Sequence, residues 1–189
     1  MTSQIYLDSY TDAGVITAMA LANELAQPAV EDAKAVVARL LAFDASSLAM
    51  LRNKDVPGFV TLAHRLREVF VNLEDEDIDA AAEQLNSMLA AHPAHPYLAK
   101  EEGIWRLHHH PSDAPLVPMY TSICAEAMAR MIGGGYAERF GICEASDCHR
   151  VFFDNSKNGT RRFCSVTCQN RIKTAAFRLR QSQGRPGRR

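Results

Sequence analysis

Residues 143–168 decide the fold, and they read CEASDCHRVFFDNSKNGTRRFCSVTC. Two cysteine pairs bound this stretch at the spacing C-x4-C-x15-C-x3-C, namely Cys143 with Cys148 and Cys164 with Cys168. Four thiolates suit the tetrahedral coordination of structural zinc, and two tight pairs leave only one long loop to be closed. We therefore predict that these four cysteines bind one structural zinc ion (Zn2+).

Other interpretations of the cysteines compete with this one. The four could be separate core thiols, or His149 could replace its neighbour Cys148 as a ligand. Cys124 stands alone in an apolar segment and is expected to be a small core residue. A catalytic zinc ion keeps an open coordination position, which four thiolates would fill, so we do not expect an enzyme active site at this metal.

The residues between and after the pairs predict a small fold around the metal. Residues 150–154 are expected to form a strand, and residues 161–163 a second strand that returns after the Asn-Gly turn within residues 157–160. Ser165 is a candidate N-cap for a helix over residues 166–181. A cysteine turn, a β-hairpin and a helix in this order are treble-clef-like.

Upstream of the cysteines, apolar residues recur at helical spacing. The segments expected to be helical are residues 12–26, 59–73, 77–91 and 119–132, and residues 31–51 are expected to be mostly helical. Pro57-Gly58 is expected to form a turn, and the three glycines 133–135 are expected to end the last helix. In the helix over residues 77–91, the side chains expected to point inward are Ile78, Leu85, Met88 and Leu89.

Two short runs, residues 97–100 and 104–109, are expected to pair as a hairpin through a turn at Glu102-Gly103. The sequence thus predicts a mainly α (α+β) fold, in which an N-terminal helical domain with a small β-hairpin precedes a C-terminal treble-clef-like zinc finger. The expected boundaries are a helical domain over residues 1–140, the finger over residues 141–182 and a basic flexible tail over residues 183–189.

The charges divide sharply along the chain. Residues 1–140 carry 10 Lys and Arg against 19 Asp and Glu, a net charge of −9. Residues 141–189 carry 11 against 3, a net charge of +8, and a zinc ion with four thiolates would lower this to about +6. A basic segment of this kind predicts an anionic partner, although basic tails can also serve solubility alone. With no apolar run of about 18 residues and no secretory signal, we expect a cytoplasmic protein that makes no membrane contact.

Residues 143–180 resemble the CGNR zinc finger of bacterial stress-induced transcription regulators. The shared pattern comprises two cysteines, an aromatic strand, Asp-x-Ser-x-Asn-Gly, Arg-Arg, one cysteine and then Cys-Gly-Asn-Arg. Gln169 stands where the family has glycine, and since glycine permits an unusual φ or a close approach, altered geometry or an altered ligand contact is expected there. The N-terminal region, with YLDSY at residues 6–10 and GIWRL at residues 103–107, is similar to the ABATE domain that accompanies the finger.

The resemblance and the charge together imply a stress-responsive, DNA-binding transcription regulator without enzyme activity. Lys and Arg would neutralise phosphates, and Asn170 and Arg171 could read adenine and guanine edges, unless each cation is only a solvated surface charge. The residues expected at the nucleic-acid interface are Lys157, Asn158, Arg161, Arg162, Asn170, Arg171, Lys173, Arg178 and Arg180. The alternative is a protein-interaction or RNA-binding zinc-finger module without sequence-specific DNA binding.

The N-terminal domain is a candidate sensor of a small-molecule effector. Asp8 and Arg106 are polar residues in apolar surroundings that could bind such a ligand, or could form an ion pair that only ties the domain together. His108 and His110 would share a strand face and could hold a metal, but a solvated strand end is expected instead. A homodimer would suit a regulator that reads two half-sites.

Overall fold

The computed structural model of the chain describes residues 9–27, 30–93, 95–101, 103–108 and 113–183. These residues form α-helices around an apolar core, together with two small antiparallel strand pairs. In chain order the elements are α1 (Ser9–Glu24), α2 (Ala33–Leu40), α3 (Ala45–Met50), α4 (Val56–Glu74), α5 (Ile78–Ala91), β1 (Tyr97–Glu101), β2 (Ile104–His108), α6 (Leu116–Gly133), β3 (Phe140–Ile142), β4 (Val151–Phe153) and α7 (Val166–Gln183). The predicted fold class, mainly helical with small strand pairs, is confirmed.

Local capping decides where the first helices begin. The Oδ1 atom of Asp44 accepts the N–H groups of Ser46 at 3.0 Å and Ser47 at 3.2 Å, so α3 starts afresh at this point. Residues 31–51 are mostly helical, as predicted, but they form two helices, α2 and α3. The turn predicted at Pro57-Gly58 is wrong, because both residues lie in the first turn of α4, where a proline sacrifices no intrahelical hydrogen bond.

α4 is the central helix of the core and contacts α1, α2, α5, α6 and β3. Its buried side chains form an apolar stripe, namely Phe59, Leu62, Ala63, Leu66, Val69, Phe70 and Leu73. On α5, Leu85 and Met88 are buried and Leu89 is half-buried, as predicted. Ile78 is 47% exposed, contrary to the prediction, because it is the first residue of its helix.

α6 completes the core by packing against α1 and α5. A methyl group at Gly14 would lie 2.5 Å from the Cβ atom of Ala127, so glycine is what allows α1 to approach α6 this closely. α6 ends at the three glycines as predicted: the N–H of Gly134 donates to the Arg130 carbonyl at 2.9 Å, and Gly135 has a φ of 80°. Of the helices in the described ranges, none has the length and apolar character needed to cross a membrane.

The predicted hairpin is formed by β1 and β2, which pair antiparallel with Leu98 opposite Leu107. Gly103 turns the chain between the strands with a φ of 86°, a conformation that glycine adopts without strain. His110, half of the histidine pair considered as a metal site, lies outside the described residues.

The strands that flank the first cysteine pair belong to the core of the helices. β3 and β4 pair antiparallel, with Phe140 opposite Phe153. The Phe140 ring packs edge-on against Phe70 of α4 (5.4 Å between centroids) and against Phe153 (4.9 Å). Phe140, Val151 and Phe153 are all buried with the helices. The division predicted between residues 140 and 141 falls within β3, and the domain boundaries stay predictions.

Candidate metal centre and basic helix

The first cysteine pair lies in the loop that joins β3 to β4. The N–H of Cys143 donates to the Arg150 carbonyl at 2.9 Å, which extends the ladder of the two strands. The N–H of Cys148 donates to the Ala145 carbonyl at 2.8 Å, which closes a tight turn between the cysteines. The predicted pairing of β4 with residues 161–163 is wrong, because β3 is the partner of β4 and residues 161–163 form no strand.

Asp154 organises the chain after β4 in place of the predicted hairpin. Its side chain is 2% exposed, and its two oxygens accept the N–H groups of Ser156 and Arg161, each at 2.8 Å. Burial alone would raise the pKa of this carboxyl, but the hydrogen bonds from Ser156 and Arg161 and the charge of Arg139 outweigh it and lower the pKa below its usual value. The segment thus folds back onto a carboxylate and needs no second strand.

The second cysteine pair lies where α7 begins. Ser165 is the N-cap, as predicted: its Oγ atom accepts the N–H of Cys168 at 3.2 Å. This cap places Cys168 in the first turn of α7, next to Cys164, which directly precedes the cap.

Gln169, the departure from the family glycine, has ordinary helical geometry. Its N–H donates to the Ser165 carbonyl at 3.1 Å, and its φ is not positive. The altered backbone geometry expected at this position is therefore not found. Gln169 instead lines a groove together with residues of the preceding segment, among them Ser156, Thr160, Arg162 and Ser165.

The four cysteine sulphurs lie within 4.8 Å of one another. The Sγ atom of Cys164 is 3.7 Å from the Sγ atoms of Cys148 and Cys168. A tetrahedral zinc ion with Zn–S bonds of about 2.3 Å requires sulphurs roughly 3.8 Å apart. The donor set and its spacing fit zinc, so Cys143, Cys148, Cys164 and Cys168 hold one zinc ion, as predicted. His149 is exposed and lies outside this cluster.

The pKa values of the thiols differ within the cluster. Burial and the neighbouring thiols raise the pKa of Cys164 to about 12, and burial also raises the pKa of Cys148. At Cys168, the hydrogen bond with the Ser165 hydroxyl lowers the pKa to about 7. Thiolates this close repel one another, and a divalent cation offsets that repulsion, so metal binding and deprotonation are coupled.

Two of the residues predicted to contact nucleic acid have partners inside the protein. The Arg161 guanidinium donates to backbone carbonyls beside the second cysteine pair, and Arg162 forms an ion pair with Glu144. The hydrogen bond from Arg162 lowers the pKa of Glu144, and the same bond raises the pKa of Arg162. Both arginines are exposed, but their side chains are already engaged.

α7 carries five of the other predicted contact residues. Every residue from Lys173 to Gln181 is exposed, so most of the helix projects into solvent. The exposed polar side chains in question are Asn170, Arg171, Lys173, Arg178 and Arg180. None of these five side chains forms a hydrogen bond or ion pair with another described residue. Lys157 and Asn158 are exposed in the loop after β4.

The remaining predicted site residues and the predicted tail lie at least partly outside the described residues. Asp8 lies outside the described residues, as does the side chain of Arg106, although the backbone of Arg106 pairs with Ala99 in the hairpin. The predicted basic tail lies outside them beyond Gln183.

Two helical side chains that the sequence did not single out hold the cysteine-bearing strands. The Asn23 amide of α1 is buried, donates to the Val151 carbonyl at 3.0 Å and accepts the Val151 N–H at 2.8 Å. A carboxylate oxygen of Glu74, at the end of α4, accepts the N–H of Ile142 at 2.9 Å. These bonds join residues far apart in the chain, and no local pattern signals them.

Comparison with known families agrees with the fold and the metal centre. The CGNR zinc finger profile matches residues 139–181, and the ABATE profile matches residues 11–135, more than half of the chain. The chain belongs to the ABATE family. The description of ABATE reads "Putative stress-induced transcription regulator", and here the ABATE region precedes the CGNR finger, in the order that the sequence resemblance implies. No curated protein sequence matches the chain.

Proposed function

We propose that this protein is a DNA-binding transcription regulator whose contact element is α7. The observation that carries the proposal is a solvent-exposed helix, anchored at a zinc site, whose cations have no partner among the described residues. The net charge of +8 over residues 141–189 adds a sequence-independent attraction to phosphates. The stress-responsive role rests on the family description alone.

The arrangement of charges on α7 suits a groove of duplex DNA. The helix has 18 residues and is therefore about 27 Å long, and the major groove admits an α-helix. Arg171 and Arg178 are seven residues apart and share one side, whereas Lys173 and Arg180 share a side about 200° away around the axis. The two cationic rows can therefore reach the phosphates on the two sides of a groove, while Asn170 faces the bases between them.

The acidic part of the chain restricts binding to this helix. Residues 1–140 carry a net charge of −9, which repels DNA from the helical body. DNA binding should therefore be lost at high salt, with a slope that reports the number of phosphates contacted by the basic segment.

The test is a salt titration of binding to a pool of duplex DNA by the zinc-loaded protein. The Lys173→Ala/Arg180→Ala variant should bind more weakly and reduce the slope of log K against log salt by about 2. The Lys34→Ala/Lys54→Ala variant removes the same charge from exposed positions of the body and should leave the slope unchanged. Absence of duplex binding at low salt would overturn the proposal.

The alternative, a protein-interaction or RNA-binding module, is favoured by apolar residues on the same helix. Phe177 is 54% exposed and Leu179 is 58% exposed, which is unusual for a helix that contacts only nucleic acid backbone. Equal binding of duplex RNA and duplex DNA, or no binding of either, would support this alternative. A non-enzymatic role fits a zinc ion whose four positions are filled by thiolates. The effector site at Asp8 and Arg106, the homodimer and the cytoplasmic location stay predictions.

A further inference from the structure

The two cysteine pairs differ in how firmly the rest of the protein holds them. The first pair lies between β3 and β4, whose residues Phe140 and Val151 are buried with the helices. The second pair follows an irregular segment and lies at the start of a helix that projects into solvent. Because residues 160–163 form no regular structure, their backbone groups need partners from elsewhere, and side chains must fix the position of this second pair.

Arg161 supplies the first of these fixed points. Its Nε atom donates to the Phe163 carbonyl at 2.8 Å, and its Nη2 atom donates to the Cys164 carbonyl. The guanidinium also lies over the ring of Phe152, 5.3 Å from the centroid, and that ring is only 6% exposed. A planar guanidinium can make both bonds while it stacks on a ring, which a lysine ammonium cannot do. Arg161 thus ties the backbone of a zinc ligand to a side chain of β4.

Arg162 supplies the second fixed point. Its Nε atom lies 2.6 Å from Oε1 of Glu144, and its Nη2 atom contacts the other carboxylate oxygen, so the pair is bidentate. The N–H of Glu144 in turn donates to the Arg162 carbonyl at 3.1 Å. Glu144 directly follows Cys143, and Arg162 lies two residues before Cys164, so this double link bridges the two cysteine pairs.

We infer that Arg161 and Arg162 are positioning residues of the zinc centre, and that their side chains are not the DNA contacts. They hold the second cysteine pair at bonding distance from the first, so that the metal need not order that segment when it binds. Zinc binding then costs less conformational entropy, and zinc dissociation requires these contacts to break as well. This inference concerns the metal centre and does not depend on the proposed DNA binding.

The test is the rate at which the full-length, zinc-loaded protein releases its metal to a chromophoric chelator. Arg161→Ala and Arg162→Ala should each release zinc faster by about 10-fold or more, the range seen when partners of metal ligands are removed. Arg161→Lys should not restore slow release, because a lysine supplies neither the fork nor the stacking plane. Lys157→Ala is the matched control, since it removes an exposed charge from the same segment and should release zinc as the wild type does.

A charge exchange separates positioning from a general loss of structure. Arg162→Glu alone should accelerate zinc release, and adding Glu144→Arg should slow it again by rebuilding the ion pair with reversed polarity. If Arg161→Ala or Arg162→Ala destabilises the fold, as judged by circular dichroism, Arg161→Lys provides a milder test of the Arg161 contacts and Glu144→Gln a milder test of the Arg162 ion pair. Wild-type release rates in all of these variants would overturn the inference, and weakened duplex binding by the same variants would return both arginines to the nucleic-acid interface.

Discussion

At the scale of single residues, one buried carboxylate sets the path of the chain between the two cysteine pairs. Asp154 accepts two backbone N–H groups, from Ser156 and Arg161, and is nearly inaccessible to solvent. Backbone donors in an irregular segment are costly to bury without acceptors, so the carboxylate takes over the role that a partner strand would have had. The Asp154 side chain therefore holds the start of the loop that leads to the second zinc-binding pair.

Replacing Asp154 by alanine should destabilise the zinc-loaded protein. Two part-buried N–H groups would lose their acceptor, and a loss of about 1–3 kcal/mol in the free energy of unfolding is expected. Urea unfolding at pH 7 measures the change. Asp147→Ala, which truncates an exposed aspartate in the first cysteine pair's loop, is the control and should leave the urea midpoint nearly unchanged. Equal midpoints for both variants would contradict this account of the loop.

The same carboxylate should give the stability a defined dependence on pH. An aspartate of an unfolded chain has a pKa of about 3.9, and the pKa of Asp154 is lower in the folded protein. Its contribution to stability is therefore fully present above about pH 4 and is lost as the pH falls through the folded pKa. A carbon-13 NMR titration downward from pH 7 should find this carboxyl ionised throughout the pH range in which zinc stays bound, and protonation within that range would contradict the assignment.

The residue scale also separates what the sequence could predict from what it could not. The zinc ligands were predictable because thiolate chemistry and close pairing are properties of the chain itself. The roles of Arg161 and Arg162 were not predictable, since the sequence does not show whether an arginine side chain contacts a phosphate, a carbonyl or a carboxylate. Asp154 left a usable signal, because an aspartate two residues before a serine is typical of a turn closed by its own side chain.

At the scale of elements, a residue of helix α1 makes the hydrogen bonds that a neighbouring strand would make to β4. Asn23, at the C-terminal end of α1, makes with Val151 of β4 the pair of hydrogen bonds that a strand residue would make. Beside it, Glu24 forms an ion pair with Arg150 at 3.0 Å. The outer edge of β4 is thereby occupied, and the strand that follows Cys148 is fixed to the helical body.

Replacing Asn23 by alanine should therefore loosen β4. The Val151 N–H would be left without its acceptor, and its hydrogen exchange should become faster in the zinc-loaded protein. Gln27→Ala is a matched control, because the Gln27 amide donates to the carbonyl of Asn23 at the same helix end and, among the described residues, has no bond to β4. Unchanged exchange at Val151 in Asn23→Ala would show that the buried core alone holds the strand.

Helices were predicted well where the apolar periodicity extends over several turns. Helix breaks and strand pairing were predicted poorly where a side chain makes the hydrogen bonds that the backbone would otherwise make. α4 and α5 follow from apolar residues at helical spacing, since a stripe several turns long has few other interpretations. The break at Asp44 and the pairing of β3 with β4 depend on particular contacts, and β3 has only three residues. So short a strand carries no usable alternation in the sequence.

At the scale of the whole molecule, the acidic and basic parts are joined by a shared core. β3 and β4, which flank the first cysteine pair, are packed against α4 and α1. The residues beyond Asp154 differ, since they are held by side-chain contacts, by the metal and by the start of α7. The part of the chain whose folding depends on zinc is therefore expected to begin after β4, rather than near residue 140, where the net charge of the chain changes sign.

Removal of zinc should then unfold one end of the molecule and spare the other. α7 projects into solvent from Lys173 onwards, and an isolated helix of 18 residues is only marginally stable in water once its anchored first turn is lost. Hydrogen exchange after treatment with a strong chelator should therefore become fast throughout α7, while α1, α4 and the Val151 amide stay protected. Circular dichroism should show a partial loss of helix in the same sample.

Two variants test whether the unfolding of α7 depends on the metal. Cys168→Ser removes a ligand and should give fast exchange in α7 without any chelator, whereas Cys124→Ser alters a buried thiol of α6 and should leave α7 protected. If chelation removes all helical signal, the helical body depends on the finger and the two ends are not separable. If instead α7 stays protected after zinc has left, contacts other than the metal support it, and its role as a free, metal-anchored contact helix is contradicted.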